Sequence, residues 1–160
     1  MKKQTNQTIY KIALMVYCIA ILIFTLFRRP YLPKSPILYF DYIERNIQIV
    51  PFLTIIEMIQ LILDTTASAG ARLLAVINIS GNLALFVPCG ILFPRVFSAM
   101  NQFSVFIRRI AFGIIGIELL QLFLTIGSFD IDDILLNTFG AILGFYLNSL
   151  LNKYQMRKDR

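Results

Sequence analysis

Residues 110–151 read IAFGIIGIELLQLFLTIGSFDIDDILLNTFGAILGFYLNSLL. Two apolar runs, 110–126 and 131–151, are divided by a turn at Gly127-Ser128. Arg108-Arg109 precede the first run and Lys153 follows the second. Each run has a length in the range of about 17–25 residues that crosses a bilayer's hydrocarbon core. Lipid offers no partners to backbone N–H and C=O groups, so both runs are expected to be helices, joined tightly and antiparallel.

The rest of the chain agrees with a lipid-solvated protein. Of 160 residues, 58% are hydrophobic and 15% charged, against roughly 45–50% and 25% in soluble domains. Mean hydropathy is +0.72. The length fits one domain. There is no His, which excludes Ser-His-Asp and Cys-His catalysis and HExxH zinc sites. Cys18 and Cys89 lie in apolar runs and read as small hydrophobes, not as a disulfide or metal site. A net charge of +6 would suggest nucleic acid in a soluble chain. Here the basic residues flank apolar runs, so no nucleic-acid partner is expected.

Outward from the quoted stretch, a span is expected at about 73–93, closed by Pro94-Arg95, and another at 9–27, closed by Arg28-Arg29-Pro30. No small-residue cleavage site follows the latter, so it reads as an uncleaved helix. Residues 28–46, broken by Pro30, Pro33 and Pro36, read as a loop. Segment 51–63 is apolar but short, opens with Pro51 and carries Glu57 and Gln60. It reads as a shallow re-entrant or interfacial helix. The expected fold is therefore an all-α integral membrane bundle: four transmembrane helices (9–27, 73–93, 110–126, 131–151) plus that short segment, in a single domain. With both termini in the cytoplasm, ten Lys and Arg residues lie inside and five outside. The positive-inside rule selects that orientation.

Polar residues inside spans are costly and so carry information. Glu118 and Gln121 share a helix face. By the helical rise, Glu118 lies about 12 Å, Asn82 about 14 Å and Asn137 about 9 Å below the outer ends of their helices. Asp130, Asp133, Asn137, Gly140 and Gly144 follow one seam on the last helix. The expectation is an outward-facing polar pocket of Asn82, Glu118, Gln121, Asp130, Asp133 and Asn137. Gly140-x-x-x-Gly144 reads as a helix-packing motif. Asp132 reads as a helix-terminus acid. No catalytic residue, metal site or cofactor is expected.

Certain residues carry a family resemblance: Asn46 with Pro51-Phe52; Gly81-Asn82-Leu83-Ala84-Leu85-Phe86-Val87-Pro88-Cys89-Gly90; Glu118-x-x-Gln121; Asp130-Ile131-x-Asp133; and Asn137-x-x-Gly140-x-x-x-Gly144. In order and spacing they resemble the VanZ-like membrane protein family. The chain departs from it in the four residues Ile47-Gln48-Ile49-Val50 before Pro51, and in Gly127-Ser128 where many members place an Arg. The resemblance implies a bacterial cytoplasmic-membrane protein with an accessory role in resistance to teicoplanin, a lipid-tailed glycopeptide. It implies membrane lipid as a partner, and a lipoglycopeptide or a lipid-linked cell-wall precursor as a further one. It transfers no catalytic residue, so the leading expectation is a non-enzymatic envelope protein. Two others stand beside it. One is a membrane-embedded enzyme acting on a lipid or isoprenoid phosphate, with Glu118 as acid or base. The other is a small proton-coupled carrier, which with four spans would need a homo-oligomer, formed through Gly140 and Gly144.

Overall fold

The computed structural model describes residues 2–26 and 35–158. Six helices dominate: α1 (Lys2–Leu26), α2 (Pro36–Arg45), α3 (Leu53–Leu63), α4 (Ala69–Val96), α5 (Phe103–Phe123) and α6 (Ile131–Lys158). A 3₁₀ turn, Ser98–Asn101, joins α4 to α5. Two short strands, β1 (Ile47–Gln48) and β2 (Phe129–Asp130), pair in parallel, with Ile47 opposite Phe129 and Gln48 opposite Asp130.

Among the described residues, three helices are long and apolar enough to cross a membrane: Gln7–Thr25, Ala69–Val96 and Ile131–Tyr154. The fourth expected span, on α5, has 21 residues. Arg108, Arg109 and Glu118 put three charged side chains into every 18-residue stretch of it, more than in the apolar stretches of the other three. The short segment forms α3, an 11-residue apolar helix. At 1.5 Å per residue it reaches only about 17 Å, well short of a core about 30 Å thick.

The boundaries moved for local reasons. The expected third span, 110–126, stops at Phe123 because Thr125 turns left-handed, with φ 55°. The Ile126 N–H donates to the Gln121 carbonyl at 2.9 Å and the Thr125 N–H to that of Leu122 at 3.0 Å. This is a Schellman termination with Thr where Gly is usual. Its start extends back to Phe103. α4 and α6 likewise run beyond 73–93 and 131–151. The loop expected over 28–46 is corrected in part. Ser35 caps a helix by accepting the Leu38 N–H at 3.3 Å, and Pro36 sits in its first turn. Proline there starts a helix and does not break one. Residues 27–34, where the first span was expected to end and the loop to begin, lie outside the described residues.

The core is a crossing of α4 and α6. A methyl group on Gly140 would overlap the Leu83 carbonyl oxygen, one on Gly144 that of Val87, and one on Gly90 that of Ala141. Only a hydrogen at these three positions lets the two backbones touch. The glycine seam is therefore filled by α4 of the same chain. Phe106, Ile110 and Ile114 of α5 close the core together with Phe86, Ala141 and Phe145. α1 lies outermost, its Met15, Val16 and Ile23 faces exposed. Pro88 interrupts the hydrogen-bond ladder of α4. Within that turn the Leu85 carbonyl accepts the Tyr17 hydroxyl of α1 at 2.9 Å.

Candidate functional site

The polar residues gather where α5 turns into α6. After the Thr125 termination the chain folds back so that Gly127 lies on Gln121. A Cβ on Gly127 would stand 3.2 Å from Gln121 Cβ, so any side chain there would press on α5. The insert between α1 and α4 docks on this turn. Tyr39 donates its hydroxyl to the Phe123 carbonyl at 3.0 Å, and Tyr42 to that of Gly127 at 2.9 Å. Burial raises the Tyr42 phenol above its ordinary pKa. The Phe129 N–H donates to the Asn46 carbonyl at 2.8 Å, and the Asn46 amide returns to its own helix at the Tyr42 carbonyl.

Three aspartates then take three different partners. Asp130 caps α6: its Oδ1 accepts the Asp132 N–H at 2.8 Å. Its Oδ2 accepts the Thr54 hydroxyl of α3 at 2.7 Å. Asp132 is fully buried at 0% exposure. It accepts the Phe52 N–H at 2.6 Å and the Ile55 N–H at 3.1 Å. Asp133 accepts a hydrogen bond from the Asn82 amide of α4. The junction of β2 and α6 thus holds α3 through two carboxylates and α4 through a third.

The reason lies at the start of α3. Its N-cap is Phe52, left-handed at φ 67° and without a side-chain cap bond. The first N–H groups of a helix need acceptors, and apolar surroundings supply none. Asp132 provides them from across the structure, with its negative charge at the positive end of the α3 dipole.

The expected pocket residues are placed as follows. Asn82 meets Asp133. Asp130 meets Thr54. Glu118, Gln121 and Asn137 are buried, at 4%, 8% and 5% exposure. The Asn137 side-chain oxygen has no hydrogen-bond partner among the described residues. Sequence reasoning missed Asp132 as a partner of another helix, and it missed Thr54, Tyr39 and Tyr42 altogether. One signal was available: α3 begins at Pro51-Phe52 with no capping side chain of its own, which calls for an acceptor from elsewhere.

All of this lies within a stretch that matches a known family. The family model described as VanZ/LLP1 matches residues 14–152. The chain belongs to the VanZ/LLP1 family. Protein VanZ of Enterococcus faecium is 27% identical over 148 residues, covering 91% of this chain and 76% of the relative. No solved structure matches. The VanZ/LLP1 match takes in the aspartate turn, the α3 cap and the glycine crossing together.

Two cavities complete the surroundings. A groove of about 710 Å³ between α1 and α4 is lined by Asn78, Gly81 and Asn82 among apolar neighbours. Asn82 thus joins the aspartate turn to that groove, and it alone of the six expected residues lines either cavity. The second, of about 310 Å³, lies between α1, α4 and α5. At the opposite end of the bundle Arg95 ties three helices. It donates to Asn148 Oδ1 of α6 at 2.6 Å and to the Tyr10 hydroxyl of α1 at 2.8 Å. Among the described residues, no group of three or more acids or cysteines is arranged to hold a metal ion.

Proposed function

We propose that this chain is a multi-pass protein of the bacterial cytoplasmic membrane that contributes to teicoplanin-type resistance without chemical turnover. α1, α4, α5 and α6 serve as four spans with both termini in the cytoplasm. The insert carrying α2 and α3 then lies in the outer leaflet, on the same side as the α5–α6 turn. The spans follow from length: the 21 residues of α5 extend about 31 Å. The orientation follows from the excess of Lys and Arg at the Arg95 end.

The observation that carries the reading is the aspartate turn. It fixes a short apolar helix at one end of the bundle, with Ile56, Ile59 and Leu63 exposed. A shallow helix held there offers an apolar face among lipid headgroups, beside the groove that Asn82 lines. A lipid-tailed drug, or a lipid-linked cell-wall precursor, is the chemistry that such a face and its acidic neighbours suit. In this reading Asn82, Glu118, Gln121, Asp130, Asp133 and Asn137 support the outward site. Teicoplanin resistance, suggested by the relationship to Protein VanZ, then comes from reduced drug access to its target.

The test compares inhibitory concentrations in a susceptible Gram-positive host. Expression raises that of teicoplanin more than that of vancomycin. Asp133→Ala and Glu118→Ala remove the difference at equal protein level. Equal protection against both drugs refutes the role of the lipid tail, and full resistance in both variants removes the polar site from the mechanism.

A further inference from the structure

The cavity between α1, α4 and α5 has a different chemistry from the aspartate turn. Its wall is apolar, with Ile21, Phe86, Phe93 and Ile114 among its lining. Arg109 is the one charged side chain among the lining residues. Its side chain is exposed, and among the described residues no hydrogen bond or ion pair engages it. Arg108 beside it donates to the Ser104 carbonyl of its own helix. Between Pro94 and Ile117 the sequence holds three Arg and no acid. Arg109 therefore has no carboxylate neighbour in that stretch of chain. Nine residues separate it from Glu118, about 14 Å along α5.

An apolar cavity with one free cation beside it matches an amphiphile with an anionic head. About 310 Å³ is within the usual range of ligand sites, roughly 300–1,000 Å³. Burying an alkyl chain there covers apolar wall that the α1–α5 packing leaves open. The guanidinium pairs with phosphate in the fork geometry that Arg favours. We infer that the cavity takes an acyl chain of an anionic phospholipid whose phosphate sits on Arg109, at the end of the bundle opposite the aspartate turn. This site is independent of the proposed drug-resistance role.

Gly113 supplies a clean probe. It lines the cavity, and a Cβ there meets nothing within 4 Å. A side chain at 113 therefore starts in open space, and a large one takes up the room of the cavity. The experiment takes the full chain from vesicles of equal phosphatidylglycerol and phosphatidylcholine and weighs the retained lipid by native mass spectrometry. The wild-type protein retains phosphatidylglycerol in preference by about five-fold, the effect of one surface cation on an anionic headgroup. Arg109→Gln brings the ratio close to one, Arg108→Gln leaves it unchanged, and Gly113→Phe loses retained lipid of both kinds. A wild-type ratio near one overturns the proposal. So does an unchanged ratio in Arg109→Gln, an equal loss in Arg108→Gln, or lipid still held by Gly113→Phe. Arg109 is exposed, so its variant tests the headgroup contact even where the Phe variant folds poorly.

Discussion

Replacing Asp132 should loosen the start of α3 before anything else. Its carboxylate holds the Phe52 and Ile55 N–H groups at 2.6 and 3.1 Å. Asp132→Asn keeps the volume but leaves one acceptor oxygen, which stays on the shorter bond. The Ile55 N–H then faces an NH₂ group and loses its partner. A hydrogen bond to a charged group contributes about 1.5–3 kcal/mol, so local opening at Ile55 becomes easier by about 2 kcal/mol. At 1.36 kcal/mol per factor of ten, amide exchange there accelerates about 30-fold. Asp132→Leu orphans both N–H groups, at about 1–3 kcal/mol each, and exposes the whole first turn of α3. The assay is hydrogen–deuterium exchange of the peptide over residues 50–60, in detergent or nanodiscs. Asp133→Asn is the control, because Asp133 accepts its hydrogen bond from Asn82 of α4. If Asp132→Asn leaves exchange at Ile55 unchanged, or Asp133→Asn speeds it equally, the capping argument fails.

Two further expectations are cheaper to examine. Gly140→Ala drives a methyl group into the Leu83 carbonyl and should cost about 1–3 kcal/mol, read as a lower melting temperature; an unchanged transition would mean that α4 and α6 do not cross there. Asp64 accepts both the hydroxyl and the N–H of Thr66, which hold its carboxyl below the ordinary pKa. A depressed acid stabilises its loop above the unfolded value and stops doing so as pH falls through the folded one. The Asp64 carboxyl resonance should therefore titrate below the ordinary value of about 3.9, and Thr66→Val should raise it; an unshifted resonance in the wild-type chain refutes the assignment.

The long apolar helices were legible because length and flanking charge are local properties. α1, α4 and α6 are apolar runs followed by Arg or Lys, and the structure lengthens α4, α6 and the start of α1. α2 was illegible because three prolines in seven residues, Pro30, Pro33 and Pro36, suggest a broken chain. Ser35-Pro36 in fact has the chemistry of a helix start. The aspartates could be read as lying together on one seam by their spacing alone. Their partners could not: Thr54 and Phe52 stand 76 and 80 residues away in sequence. The β1–β2 pair is shorter still, two residues each, and no periodicity exists over such a length.

The tie between Arg95, Asn148 and Tyr10 has a consequence for how the protein is made. Tyr10 and Arg95 are 85 residues apart, and Arg95 and Asn148 are 53 apart. A ribosome releases the first helix long before the sixth exists. Until residue 148 has been translated, the guanidinium on α4 has only half of its hydrogen-bond partners, and α1 is joined to α4 by two hydroxyls, Tyr10 accepting from Arg95 and Tyr17 donating to the Leu85 carbonyl. The first helix is therefore already tied to α4 while the crossing of α4 with α6 is still to form. The last helix to emerge completes the tie, so that a chain stalled or cut before α6 lacks both the Asn148 bond and the glycine crossing that forms the core.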